Sequence, residues 1–352
     1  MSAFIELDNV SKTFGGGVFN RSSTVVAVDN VSLTIHEDQP SITTLAGESG
    51  SGKTTLARLL LGSHHPTSGK MLYRGKDFTK LTGKERLRFR REVQPIFQDP
   101  FESYNPFYKV DHVLEAPINN FKLASSKPAA KKMIEESLEM VGLVPEETLG
   151  RFPHQLSGGQ RQRIMVARAL LLKPRVILAD EPVSMVDASL RATILQSIRK
   201  LNRDLGISVI YITHDLTTAY QISDNIMVMY RGTVVEAGTV DTIVSNPSHP
   251  YTQLLIESIP QPDPKKRWGE EPPQSDWELT DDVLVGCKFS DRCPKVMDEC
   301  KSVRPDQFKI GKNQMATCFL FKDAGKMSND DLTSTFSYAT TQVVNNKIGL
   351  AK

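Results

Sequence analysis

GESGSGKTT, residues 47–55, is the stretch on which the reading of this chain turns. It fits the pattern G-x-x-x-x-G-K-[ST], with Gly47, Gly52, Lys53 and Thr54 at the fixed positions. Glycines let the backbone bend until several N–H groups face one phosphate chain. Lys53 brings a positive charge to the outer phosphates, and Thr54 offers a hydroxyl to Mg²⁺. Glu48, Ser49, Gly50, Ser51 and Thr55 complete the cradle. Such a loop needs a strand before it and a helix after it. Residues 42–46 read as a short strand, and Leu56, Leu59 and Leu60 mark a helix that stops at Gly62.

Ligands of open parallel sheets bind outside the carboxyl ends of the strands. The loop leaves one such end, Asp180 and Glu181 leave a second after VILA, and His214 leaves a third after VIYIT. One carboxylate beside the metal can hold Mg²⁺ through its hydration shell. The adjacent one is then free to orient or deprotonate an attacking water. A neutral His can hydrogen-bond the transferring phosphoryl group. Taken singly, the carboxylates fit a solvated strand end and His214 fits a helix cap or a core position. Convergence of all three beside a phosphate loop favours an ATP-hydrolysing site.

QLSGGQRQRIMVARAL, residues 155–170, poses a second question. Ser157, Gly158 and Gly159 open an amphipathic helix whose Ile164, Ala167 and Leu171 share a face. A helix N-terminus of this kind binds anions. A nucleotide at residues 47–54 already has its own helix N-terminus, so a second one makes sense if it closes over another subunit's nucleotide. ATP would then bridge two chains, and hydrolysis would release them.

At 352 residues the chain has room for one large domain and a smaller one. Lys and Arg total 43 and Asp and Glu 41, so no global basic field draws the chain to nucleic acid. The basic run GKERLRFRRE, 83–92, reads better as a solvated helix face than as a nucleic-acid patch. No apolar run approaches the roughly 18–20 residues of a membrane span. The opening MSAFIELDNV lacks a signal peptide's apolar core. A soluble, cytosolic chain is expected, with any membrane role reached through a partner.

Residues 4–35 alternate apolar and polar at the strand period, interrupted by the loop GGGVFNRSST. Residues 78–172 read as mainly helical, with Ile134, Leu138 and Val141 on one face. RVILAD and ISVIYIT are continuous apolar runs suited to buried parallel strands, with a helix over 188–204 between them. MVMYRGTVVEAG reads as a hairpin turning at Arg231 and Gly232. Four segments are expected: a nucleotide-binding domain over 1–258, a proline- and charge-rich linker over 259–283, a cysteine module over 284–322 and a polar tail over 323–352.

The ordered set GESGSGKTT, Gln98 in IFQDP, LSGGQ, VILADEP and His214 resembles the ABC-transporter ATPase family, over residues 1 to about 245. LSGGQ is far more diagnostic than the phosphate loop. The resemblance implies an α/β P-loop NTPase fold of ABC ATPase type: a parallel core sheet, an antiparallel β subdomain and a helical subdomain, here with a small C-terminal cysteine module. It implies that Phe14 in VSKTF stacks on adenine. By the same resemblance Gln98 would touch Mg²⁺, beside Thr54 and Asp180, and couple the site to a membrane partner. Ser157, Gly158, Gly159 and Gln160 would complete the partner's site. Glu181 would be the catalytic base and His214 the switch histidine. Ser184 and Asp187 match the loop between the two sites, which reads SMVD here where the family usually has S-A-L-D.

Two further stretches are similar to the family's oligopeptide/dipeptide branch. NPSHPYTQLLIESIP, 246–260, carries the H-P-Y-T segment that follows the ATPase core there. GCKFSDRCPKVMDEC, closed by Cys318, looks like the branch's cysteine cluster, although Phe319 stands where His often follows. The branch implies a second ATPase chain, commonly in a heterodimer, two permease subunits and an external binding protein for import. The ATPase would then sit at the cytoplasmic face of the membrane. Some members carry oligosaccharides rather than peptides. The rival from another class is a soluble ABC protein of DNA repair or translation. The prolines at 95, 100, 106, 117, 128, 145 and 153 exclude the long coiled coil of the repair type, and one cassette is half of a translation-type fusion.

Cys287, Cys293, Cys300 and Cys318 are the chain's four cysteines, with five, six and seventeen residues between them. Two disulfides do not suit a cytosolic chain. Inert buried thiols are the bland alternative, disfavoured by the clustering. Zinc sites usually show C-x₂₋₄-C pairs, and none exists here. Loose spacing fits a [4Fe–4S] cluster, and Pro294 after Cys293 echoes the C-P of ferredoxin-type runs. The resemblance points the same way.

Overall fold

A computed structural model of the chain describes residues 2–15, 24–98, 104–184, 186, 188–259, 285–327 and 334–338. The strands among them are, in chain order, β1 (Ala3–Phe14), β2 (Val25–His36), β3 (Ile42–Ala46), β4 (Ser68–Tyr73), β5 (Lys76–Asp77) and β6 (Val93–Ile96). They continue with β7 (Val176–Asp180), β8 (Ser208–Thr213), β9 (Asn225–Tyr230), β10 (Thr233–Thr239), β11 (Phe308–Lys309) and β12 (Gln314–Ala316). An antiparallel sheet has the order β2-β1-β4-β5, and a larger one the order β11-β12-β10-β9-β3-β8-β7-β6.

The larger sheet is parallel from β9 to β6. Its parallel strands are mostly apolar and almost entirely buried because both faces are covered. In β7, Val176 and Leu178 enter a core shared with the antiparallel sheet, while Ile177 and Ala179 enter a core shared with the helices. Leu56, Leu59 and Leu60 of helix Lys53–Leu60 are fully buried between the two sheets. The expected face of Ile134, Leu138 and Val141 packs in the helical core with Ile164, Met165 and Leu170. The basic run forms helix Gly83–Glu92, which buries Phe89 and spends Arg88 on Glu92. Among the described residues no helix is long and apolar enough to cross a membrane.

Five strands escape the sequence pattern: β4, β6 and β12, and the two-residue β5 and β11. β6 lies inside the stretch read as helical; it has four residues and contains Pro95, which an edge strand tolerates because one side of it donates to nothing. β4 begins with the exposed Ser68-Gly69-Lys70 and shows no alternation until Met71. β12, from the expected cysteine module, pairs with β10: Glu236 lies opposite Ala316 and Gly238 opposite Gln314. The segment from 285 onward therefore extends the core sheet. The expected linker, apart from Ile259, lies outside the described residues. From the tail, Phe336 enters the core between the sheets, and Ser337 exchanges hydrogen bonds with Asn225.

Glu236 ties these parts together. Its carboxylate is fully buried in β10 and accepts from the Ser248 N–H at 2.8 Å, the His249 N–H at 2.9 Å and Gln314 Nε2 at 2.7 Å. Burial raises its pKa, and these donors oppose that rise. One side chain thus docks both the H-P-Y-T turn and the C-terminal β12. Glu236→Ala should cost about 3 kcal/mol or more, since three buried donors lose their acceptor. Urea unfolding of the full chain reads this directly; a loss below about 1 kcal/mol would mean that water replaces the carboxylate.

Candidate functional site

Backbone register assembles the site. Ala46 at the end of β3 lies opposite Thr213 in β8, Asp180 in β7 opposite Ile212, and Ile96 in β6 opposite Ala179. The strands end level, so Gly47, His214, Glu181 and Gln98 emerge along one edge. A cleft of about 640 Å³ follows that edge, from Val25–Ala27 of β2 over Ser49, Gly52, Lys53, Thr54 and Thr55 to Gln98, Asp180, Glu181 and His214.

The loop holds its own lysine. Lys53 Nζ donates to the carbonyls of Gly47 and Glu48, both at 2.8 Å, and lies 3.4 Å from Ser51 Oγ. Burial lowers its pKa, while the charges of Glu181, Asp180 and Glu48 raise it. An arriving phosphate can therefore take a cation that now rests on neutral carbonyls. Gly52 has φ +101°, and a Cβ there would overlap the Ala27 carbonyl oxygen. The Ser51 carbonyl accepts from the Gly232 N–H at 2.8 Å, fastening the loop to the turn at Arg231–Gly232.

Glu181 has φ +42°, a left-handed conformation uncommon for glutamate. Its N–H donates to the Ile212 carbonyl at 2.9 Å. Gln98 Nε2 donates to its Oε2 at 3.0 Å, and His214 Nδ1 stands 2.8 Å from its Oε1. Ser184 Oγ donates to its carbonyl at 3.0 Å. Behind it, burial raises the pKa of Asp180 and the charge of Glu181 adds to the rise; Lys53 and Arg58 oppose it. Two adjacent carboxylates, the Thr54 hydroxyl and the Gln98 amide share the cleft. That oxygen-rich donor set fits Mg²⁺.

Other expected residues lie farther off. Phe14 pairs with Val25, so its 40% exposed ring stands near the cleft's β2 side, edge-on to His64. Ser157 caps helix Gly158–Leu170: its Oγ accepts from the Gln160 N–H at 3.2 Å, and Gln160 Oε1 accepts from the Ser157 N–H at 2.9 Å. No residue of 155–160 is among those lining the cleft of its own chain. Asp187 lies outside the described residues.

The four cysteines are free thiols. Cys300 and Cys318 are buried, Cys287 and Cys293 half-buried. The Cys287 N–H donates to the Cys300 carbonyl at 2.7 Å. Burial pushes the Cys318 thiol up to about 11, and the charges of Cys287, Cys293 and Cys300 add to it. Cys287 and Cys293 are raised as well, first by burial. The four thus lie within one another's electrostatic reach. Among the described residues, however, no three Cys, His, Asp or Glu side chains are grouped as ligands of a single metal ion.

Residues 28–184 match the ABC transporter family, and residues 235–300 match the oligopeptide/dipeptide transporter C-terminal region. A putative oligopeptide transport ATP-binding protein, YkfD of Bacillus subtilis, is 39% identical over 322 residues, 91% of this chain and 96% of that one. The chain belongs to the ABC transporter ATPase family. The oligopeptide transport ATP-binding protein OppF of Salmonella typhimurium is 38% identical over 284 residues, 80% of this ABC ATPase and 84% of that chain. Among solved structures, the dimeric ATP-binding cassette MJ0796 in a post-hydrolysis state with ADP and Pi aligns with a TM-score of 0.59 at 31% identity. That alignment covers 67% of this ABC ATPase and 98% of that chain.

Sequence reasoning missed three side chains around the loop. Arg231 lines the cleft, Tyr251 Oη accepts from the Glu48 N–H at 2.9 Å, and Arg292 pairs with the Glu48 carboxylate at 3.0 Å. Only Tyr251 carried a signal, as the aromatic of H-P-Y-T. The two glycine environments give a prediction for this ABC ATPase. Gly50 has φ +79° but open space where a Cβ would be, whereas Gly52 faces the Ala27 carbonyl. Gly50→Ala should cost about 1–2 kcal/mol of backbone strain in the nucleotide-free protein, and Gly52→Ala clearly more. Equal urea midpoints for the two variants would contradict the close approach to Ala27.

Proposed function

We propose that this chain is the ATP-hydrolysing subunit of an oligopeptide or dipeptide importer, held by permeases at the cytoplasmic face of the membrane. The observation that carries the peptide assignment is the match of residues 235–300, which include H-P-Y-T and three of the cysteines. Glu181 acts as general base on the attacking water. Gln98 and His214 orient its carboxylate, one on each oxygen. His214 would also contact the γ-phosphate, the role that the family resemblance implies for it. Lys53 and the loop N–H groups hold the outer phosphates, and Phe14 stacks on adenine. Thr54, Gln98 and Asp180 would hold Mg²⁺, whose charge offsets that of the β- and γ-phosphate oxygens.

Ser157, Gly158, Gly159 and Gln160 serve the nucleotide of a second, similar ATPase chain, so the working unit is a dimer, taken here as a heterodimer. Their distance from the cleft of their own chain supports this. By resemblance to the family, Ser184 and Asp187 match the loop between the two sites. The dimer works beneath two permeases supplied by an external binding protein. Glu181→Gln keeps size and hydrogen bonding but removes the base. In the complex reconstituted with its permeases, ATP should still bind, while hydrolysis and peptide uptake fall by ~10²–10⁴-fold and closed dimers accumulate. Hydrolysis at the wild-type rate would refute the role of Glu181. Uptake of oligosaccharides but not peptides by the wild-type complex would refute the cargo.

The same proposal assigns Cys287, Cys293, Cys300 and Cys318 to a [4Fe–4S] cluster of structural role. A cubane takes one thiolate per iron, so its ligands stand farther apart than those of a single ion. What supports the reading is that all four cysteines of the chain lie in this one segment as free thiols, two buried and two half-buried. The raised pKa values of Cys287, Cys293 and Cys318 keep them neutral thiols until a metal displaces their protons. Protein purified without oxygen should be brown, with about four iron and four sulfide per chain. Stoichiometric zinc without sulfide would replace the assignment.

A further inference from the structure

Glu48 is the point at which three parts of the molecule meet. Its carbonyl accepts from Lys53 Nζ at 2.8 Å. Its N–H donates to Tyr251 Oη at 2.9 Å. Its carboxylate receives a two-pronged contact from Arg292, with Nη1 3.0 Å from Oε2 and Nη2 3.2 Å from Oε1. Every polar group of this loop residue is engaged, two of the three by side chains from beyond residue 250. Arg292 comes from 244 residues away and directly precedes Cys293.

Exposed ion pairs contribute little unless they are bidentate and held. This one is both. The Arg292 side chain is only 14% exposed, and its guanidinium lies 5.8 Å from the Phe289 ring centre and 5.9 Å from that of Tyr230. Tyr251 packs on the same two rings, at 4.6 Å from Tyr230 and 5.5 Å from Phe289. Phe289 lies between Cys287 and Cys293 in the chain, so the order of the cysteine segment sets where both clamps on Glu48 stand. There is an electrostatic reason for the clamp as well. Glu48 puts a carboxylate in the loop that must receive the phosphates of ATP, and an unpaired negative charge there repels them. Arg292 neutralises it without entering the cleft.

We infer that Arg292 is a positioning residue for the phosphate-binding loop: together with Tyr251 it holds Glu48, and so makes nucleotide affinity depend on the ordered cysteine segment. Coupling of this kind is reciprocal, so bound nucleotide must in turn tighten residues 285–300. The inference is independent of the transported cargo and of what the cysteines bind.

The test uses the full-length subunit and MgADP as ligand. Arg292→Ala should weaken MgADP binding about fivefold, the low end of ordinary coupling between sites, and raise KM for ATP more than it lowers kcat. Arg292→Lys, which keeps the charge but loses the fork, should fall between. In a Glu48→Gln background, Arg292→Ala should change affinity little further, because its partner is already gone. Hydrogen exchange over residues 285–300 should slow on adding MgADP in the wild type and not in Arg292→Ala. Wild-type affinity in Arg292→Ala would overturn the inference. So would an undiminished loss in the Glu48→Gln background, which would mean that Arg292 acts through folding alone, and so would nucleotide-independent exchange in the wild type.

Discussion

Parallel hydrogen bonding between β3, β8, β7 and β6 sets where four chain segments end, and the site exists because they end level. The register places the phosphate loop, the carboxylate pair, the histidine and the glutamine on one edge before any side chain makes a contact. Helix Lys53–Leu60 then fixes the loop from behind by burying Leu56, Leu59 and Leu60 between two sheets. The polar geometry of the cleft is thus a by-product of apolar packing on both sides of a sheet.

Within that edge, the charges are arranged in tension. Lys53 is a buried cation resting on carbonyl oxygens, and Asp180 and Glu181 are neighbouring anions. Neither arrangement is the most comfortable one for an empty site. Both become favourable when a phosphate chain and a divalent cation arrive together, because the anion meets Lys53 as the cation meets the carboxylates. A site built this way responds strongly to a ligand that carries both charges and weakly to either alone.

How far the sequence could be read depended on the range of the interaction. The loop, the strand ends and the cap at Ser157 are local: their chemistry depends on residues within a few positions of one another, and each stands where the pattern places it. β6 was missed because four residues with a proline inside leave no periodic signal, and β12 because its partner lies far back in the chain. Glu236, Tyr251 and Arg292 were missed for the same reason. A glutamate in a strand and an arginine beside a cysteine look ordinary until the fold brings their partners to them, and H-P-Y-T marks Tyr251 without revealing its contact with Glu48. Composition placed the cysteines together, but not their segment onto the core sheet.

That extension of the sheet bears on solubility. Every open sheet has two outermost strands whose free N–H and C=O groups invite pairing with another chain. On one flank this sheet ends in β6, four residues long and interrupted by Pro95. On the other, β12 pairs with Glu236–Gly238 of β10, six of whose seven residues are buried, and beyond β12 the described residues add only the two-residue β11. Both flanks are therefore too short or too broken to template a neighbour. A chain cut before β12 would keep the complete nucleotide cleft and still leave the edge of β10 unpaired at Glu236–Gly238, so β12 protects the nucleotide-binding part from self-association.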